Sequence, residues 1–78
     1  PFVVFVDDFN YFIELDFIEG IGVVEIVISQ SGSVIYSSSE NILSPLRKYL
    51  QLPFGVSGEY CIEIKGDNGA YVYGCFEL

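Results

Sequence analysis

The stretch from Gly58 to Leu78 constrains the fold more than any other part of the chain. It reads as two alternating runs around Asp67-Asn68-Gly69, a turn signal of the kind that closes β-hairpins. Tyr60, Ile62 and Ile64 share one face of the first run. Val72, Phe76 and Leu78 share one face of the second, with Gly74 between them. Strand side chains alternate with period two, so both apolar sets lie on the same face only if paired positions have an even sum. A two-residue Asn68-Gly69 loop breaks that rule. A three-residue loop, Asp67-Asn68-Gly69, satisfies it, with Gly66 opposite Ala70 and Gly69 in the left-handed conformation of a glycine-bulge hairpin.

This register sets Ile64 opposite Val72, Ile62 opposite Gly74, and Cys61 opposite Cys75 on the outward face. Cross-strand Cβ atoms lie about 4.5–5.5 Å apart, whereas a disulfide prefers about 3.5–4.5 Å. A Cys61–Cys75 bridge is within reach but strained. A five-residue loop would offset the cysteines by one pair and leave two free thiols, and both states stay open.

The rest of the chain repeats the strand pattern. Phe2 to Val6 is uniformly apolar, a strand buried on both faces or paired at an edge. Asp7-Asp8-Phe9-Asn10 is a turn. Tyr11 to Phe17 alternates, with Tyr11, Ile13, Leu15 and Phe17 inward and Phe12, Glu14 and Asp16 outward. Glu19-Gly20-Ile21-Gly22 is the next turn. Val23 to Ser29 puts Val24, Ile26 and Ile28 inside, with Glu25 and Val27 outside. Gln30-Ser31-Gly32 is expected to repeat the three-residue turn with glycine last.

Ser33 to Ser38 then returns as a serine-rich edge strand, with Val34 and Tyr36 on one face and Ile35 on the other. Residues 39–53 admit two readings. Ser44 as N-cap, Pro45 at the first position, and Leu46, Tyr49 and Leu50 at i, i+3, i+4 suit a helical turn. The alternation of Tyr49 and Gln51 with Leu50 and Leu52, and Pro53 close behind, favours a short strand with an irregular lead-in. Pro53 to Gly58 is a loop. About seven short strands with regular turn signals predict an all-β, immunoglobulin-like antiparallel β-sandwich formed by residues 1–78 as one domain. Tyr60, opening the penultimate strand, is either a plain core residue or a corner tyrosine that bonds back to upstream backbone.

Composition supports this and narrows the function. A chain of 78 residues sits near the lower end for a self-sufficient core. It compensates with 51% apolar residues, among them seven Phe and six Tyr, which with Val and Ile favour strands. Charged residues interrupt every apolar run well short of the roughly 18 needed for a membrane-spanning helix. The net charge of −8 argues against nucleic acid and against anionic membrane surfaces. It suits the solubility of an apolar β-domain. With no Met, the chain is expected to start after processing or trimming. Pro1 to Val6 has neither a basic n-region nor a small-residue cleavage site, so no signal peptide is expected.

The spacing Ile26-x-Ile28-x-x-Ser31-Gly32-x-Val34-x-Tyr36, then Leu50-x-Leu52, Gly58-x-Tyr60-x-Ile62-x-Ile64 and Gly74-x-Phe76-x-Leu78 resembles small secreted Bacteroidetes domains of a domain-of-unknown-function family. These in turn are similar to the C-terminal sorting domains of the Por (type IX) secretion system. The resemblance covers roughly residues 11–78 and rests on turns and core positions. It implies an immunoglobulin-like sandwich, export to the periplasm or beyond, and no assigned activity. Two features depart from it. The chain ends in Glu77-Leu78 rather than the basic tail of a sorting domain, and the Cys61/Cys75 pair is outside the pattern.

Little here suggests catalysis. There is no His, which removes His-based triads and His metal sites. A Ser–Lys arrangement would need Lys48 or Lys65, and both are expected to point outward. Ser37-Ser38-Ser39 reads as a solvated edge. Glu14 and Asp16 sit about 6.5–7 Å apart at the Cα on one strand face, but a carboxylate pair also needs an apolar cleft to raise one pKa. Asp7 and Asp8 with Asn10 or Glu19 could gather calcium at a sandwich end. Gly20-x-Gly22 lacks the third glycine and the helix of a phosphate loop. Two thiolates alone cannot complete a tetrahedral metal shell. No enzyme activity, metal or cofactor is therefore expected.

What remains is a secreted or periplasmic module that contacts a protein or glycan. Outward Tyr71 and Tyr73, beside Cys75 and Lys65, are the candidate interaction face, extended by Val27 and Ile35 if these share the sheet. The alternative is a structural or accessory domain that assembles, for instance as a homodimer, through the edge strand of residues 2–6.

Overall fold

The computed structural model describes residues 2–67 and 69–78 and forms seven strands. They are β1 (Phe2–Asp7), β2 (Phe12–Phe17), β3 (Gly22–Gln30), β4 (Ser33–Ile42), β5 (Leu46–Gln51), β6 (Glu59–Gly66) and β7 (Tyr71–Glu77). All pairings are antiparallel. One sheet has the order β1-β2-β5 and the other β4-β3-β6-β7. The two pack face to face on the alternate apolar residues of each strand. Ile13, Leu15 and Phe17 come from β2, Val24, Ile26 and Ile28 from β3, and Tyr60, Ile62 and Ile64 from β6. Leu50 of β5 and the adjoining Leu52 complete the three-stranded side, and Ile21 and Ile42 close one end. Phe2 packs on Phe17 with ring centroids 5.8 Å apart, and Tyr60 stacks on Phe76 at 5.9 Å.

The final hairpin has the even-sum register, with Ile64 opposite Val72, Ile62 opposite Gly74 and Cys61 opposite Cys75. Gly69 has a φ of 89°, the Gly66 amide donates to the Ala70 carbonyl at 2.7 Å, and the Gly69 amide donates to Gly66 at 3.2 Å. The middle turn position, Asn68, lies outside the described residues. Tyr60 is fully buried, and its hydroxyl donates to the Val56 carbonyl four residues upstream, making it a corner tyrosine.

The first long hairpin departs from expectation. Gln30 pairs with Ser33, leaving a two-residue turn. Ser31 and Gly32 take φ of 50° and 87°, the two positive φ angles that a two-residue type I′ hairpin turn requires. That loop gives odd sums, which would place apolar positions opposite polar ones. The chain corrects the parity with a bulge: Ser29 pairs with Val34, Ile28 with Tyr36, and Ile35 is the extra residue between them. A bulge of this kind re-aims the neighbouring side chains. Val34 therefore turns to the outer face while Tyr36 turns toward the core, so the two do not share a face.

β4 also runs four residues further than its serine-rich composition suggests, to Ile42, because Ile42 is buried in the core. Residues 46–51 form a strand rather than a helical turn. Six consecutive pairs with β2 satisfy their backbone and place Leu50 inward. Lys48, expected outward, shares Leu50's face. Its ammonium lies 3.6 Å from the Glu40 carboxylate of β4, so the pair spans the gap between the two sheets at the β4/β5 side. Gly20 is a packing requirement and not a ligand loop. A Cβ there would lie 2.5 Å from the Leu43 carbonyl oxygen.

Candidate interaction face

The outer face of the four-stranded sheet is built from the odd positions of β3, β6 and β7. Reading across the strands, one row runs Ser39, Glu25, Lys65, Tyr71 and the next Ser37, Val27, Glu63, Tyr73. A third runs Val34, Ser29, Cys61, Cys75. Tyr71 and Tyr73 are 55% and 60% exposed and Val34 64%. Cys61 and Cys75 are joined by a disulfide with Cα atoms 4.1 Å apart. Between Tyr73 and Val34 the surface dips into a shallow hollow of about 200 Å³, lined by Val27, Ser29, Cys61 and Glu63.

Polar contacts fix the orientation of the tyrosines. The Tyr71 hydroxyl donates to Glu63 Oε2 at 2.8 Å, and that bond holds the phenol's pKa above its ordinary value. Lys65 Nζ lies 3.7 Å from the other oxygen of Glu63. Tyr73 Oη is 3.5 Å from Cys75 Sγ. Val27 shares the row of Tyr73, but Ile35 is not part of this face. As the bulged residue it lines a cleft of about 580 Å³ at the open β4/β5 side, with Tyr36, Lys48, Leu50 and Leu52. Val34 takes the place expected of Ile35. Only the length of the Ser31-Gly32 turn could have signalled the exchange.

The opposite sheet carries a second outer face. Its rows are Val3, Asp16, Arg47, then Phe5, Glu14, Tyr49, then Asp7, Phe12, Gln51. Phe5 is 53% exposed, and Phe12 meets Tyr49 edge-on with centroids 5.8 Å apart. Arg47 Nε sits 2.8 Å from Asp16 and 3.4 Å from Glu14, and the Asp16 bond chiefly raises the pKa of its guanidinium. The Glu14/Asp16 pair thus shares one cation. Sequence reading did not single out this face, because it forms only when β1 and β5 flank β2.

A depression of about 450 Å³ on that side gathers Asp7, Asp8 and Glu14 with Phe5, Val6 and Phe12. Asp7 Oδ1 accepts the amides of Phe9 and Asn10 at 3.0 and 2.9 Å, and Oδ2 accepts Asn10 Nδ2 at 3.1 Å. The Asn10 amide chiefly holds this carboxyl below its ordinary pKa, the reverse of what a general acid requires. Asp7 caps its own turn, and Glu19, offered as a calcium ligand with it, follows the far end of β2. Among the described residues, one group of potential metal ligands converges, Glu59 with Cys61 and Cys75. Its two sulfurs are bonded to each other, so neither is a thiolate ligand. No helix among the described residues is long and apolar enough to cross a membrane.

Seven antiparallel strands in two packed sheets with a corner tyrosine define an immunoglobulin-like β-sandwich. No family model matches the sequence, and no curated protein matches it. Among solved structures, the chain is similar to a DUF3244 family protein with an immunoglobulin-like β-sandwich fold from Bacteroides vulgatus. The TM-score is 0.84 at 22% identity, over 100% of this chain and 83% of that one. That neighbour is a Bacteroides protein of a domain-of-unknown-function family, in keeping with the coarser part of the resemblance drawn from the sequence, and the likeness establishes the fold.

Proposed function

We propose that this chain is an exported, non-catalytic interaction module that presents the outer face of its four-stranded sheet to a protein or glycan partner. The observation that carries this reading is the pairing of exposed Tyr73 and Val34 across the Val27–disulfide hollow, with Tyr71 oriented by Glu63. Tyrosine supplies contact area with a polar tip at little cost in conformational entropy. A disulfide persists in oxidising compartments, which supports export, as does the resemblance to secreted and type IX sorting domains. The test is binding to arrays of glycans and of extracellular proteins, with the Tyr71→Ala/Tyr73→Ala double variant alongside. A partner whose affinity drops at least about tenfold, roughly 1.4 kcal/mol, supports the reading. A partner bound equally by both proteins sinks it.

A second reading is favoured by a different observation. β1 is an open sheet edge whose residues Phe2 to Val6 carry no charge, and Val3 and Phe5 are exposed. Such edges recruit further strands, so the chain would act as an accessory domain that assembles through β1.

A further inference from the structure

The free edges of the molecule are not alike. β4 is interrupted by the Ile35 bulge and carries inward Glu40. β5 carries inward Lys48. Bulges and inward charges are devices that discourage edge pairing. β7 has Gly74 at its centre, which leaves no side chain to pack where a partner strand would cross. β1 has none of these between Phe2 and Val6. We propose that β1 pairs with β1 of a second copy of this chain, antiparallel about a two-fold axis, with Val4 opposite Val4. This rests on the assembly reading above and adds the partner, the symmetry and the register.

Parity and charge select that arrangement. Phe2 and Val4 pack against the core, whereas Val3 and Phe5 point outward. Joining two sheets without exchanging their faces requires even sums. A sum of eight sets Val4 on Val4, Val3 on Phe5 and Phe2 on Val6. It uses the whole apolar run and puts no charged side chain opposite another. Sliding outward to a sum of ten sets Asp7 against Val3, and a sum of six shortens the overlap.

Two copies of net charge −8 repel each other, so contact is favoured where carboxylates are partly compensated. On the outer face beside β1, Asp16 and Glu14 share Arg47, while Asp7 and Asp8 lie beyond the end of the apolar run. The two three-stranded sheets would then run on as one. Val3 and Phe5 of both copies would form an apolar strip outside, and Phe2, Val4 and Val6 would join the inner layer.

The experiment is light scattering after size-exclusion chromatography over about a hundredfold range of concentration. It uses the full chain, the Phe5→Lys variant, and the Val4→Cys and Val3→Cys variants on non-reducing gels. Phe5 is half exposed and Val4→Cys nearly preserves volume, so thermal unfolding should find all the variants folded. The expected result is a concentration-dependent dimer whose midpoint rises at least tenfold with Phe5→Lys. Val4→Cys should cross-link into a covalent dimer and Val3→Cys should not. A monomer at every concentration, or a dimer indifferent to Phe5→Lys, overturns both the inference and the assembly reading. A dimer sensitive to Phe5→Lys that cross-links through Val3→Cys instead overturns the register and leaves the assembly reading standing.

Discussion

The two outer sheet faces solve the same problem with different chemistry. Each covers a hydrophobic sheet with aromatic rings and must hold them in place on its solvent side, away from the core. On the four-stranded side the fixing elements are covalent and local. The Cys61–Cys75 disulfide ties β6 to β7, and Glu63 holds Tyr71 on the neighbouring strand. On the three-stranded side they are ionic and shared. Arg47 reaches from β5 to both Asp16 and Glu14 on β2, and among the described residues no ion pair reaches β1. The better-fixed face is the one suited to presenting a constant surface, and the side with the loose edge is the one suited to adding a strand.

The largest effect that separates the two faces should come from the disulfide. Converting both cysteines to Ser releases a loop with sequence separation 14, which should cost about 3 kcal/mol of unfolding free energy. Chemical denaturation measures that loss. Hydrogen exchange should show protection falling first in β6 and β7 while β1–β2 amides keep theirs. Equal loss in both sheets would mean that the bridge does not distinguish the faces.

A smaller effect is expected at Tyr60→Phe. The ring stays stacked on Phe76, but the Val56 carbonyl loses its donor, at a cost of about 1–2 kcal/mol. If the corner tyrosine belongs to the rigid side, exchange should quicken in residues 53–58 and not in the Asp7 turn.

The smallest effect tests the other side through pH. The Asn10 backbone amide, helped by the Asn10 side-chain amide, holds the Asp7 carboxyl below its ordinary pKa. A depressed carboxyl contributes stability above its unfolded pKa and loses it as pH falls through the folded value. Asp7→Asn should therefore narrow the stability difference between neutral and strongly acidic solution, read as thermal midpoints. It should leave the disulfide-side exchange pattern unchanged.

Much of this fold was legible in the residues because its signals are local. The alternation of Tyr60, Ile62 and Ile64, the glycine that ends the last turn, and the even-sum rule made Cys61 opposite Cys75 one of two open registers, and the pairing of β6 with β7 selects it. The inward sets of β2 and β3 followed from the same period. Local signals failed where a strand's role depends on what lies beside it. Ser31-Gly32 reads the same in a two- or three-residue loop, so the Ile35 bulge, and with it the exchange of Val34 for Ile35 on the candidate face, was invisible. Lys48 reads as a surface cation until Glu40 appears across the gap between the sheets.

Side-chain period and backbone φ preferences act within a few residues, so the order of amino acids is enough to make this chain alternate, turn and bury one side of each strand. The tertiary structure alone decided which strands became edges, which carboxylates met Arg47, and which apolar side chains stayed outside. Those outcomes depend on strand neighbours distant in sequence, as when β2 takes β5 as a partner across the whole of β3 and β4.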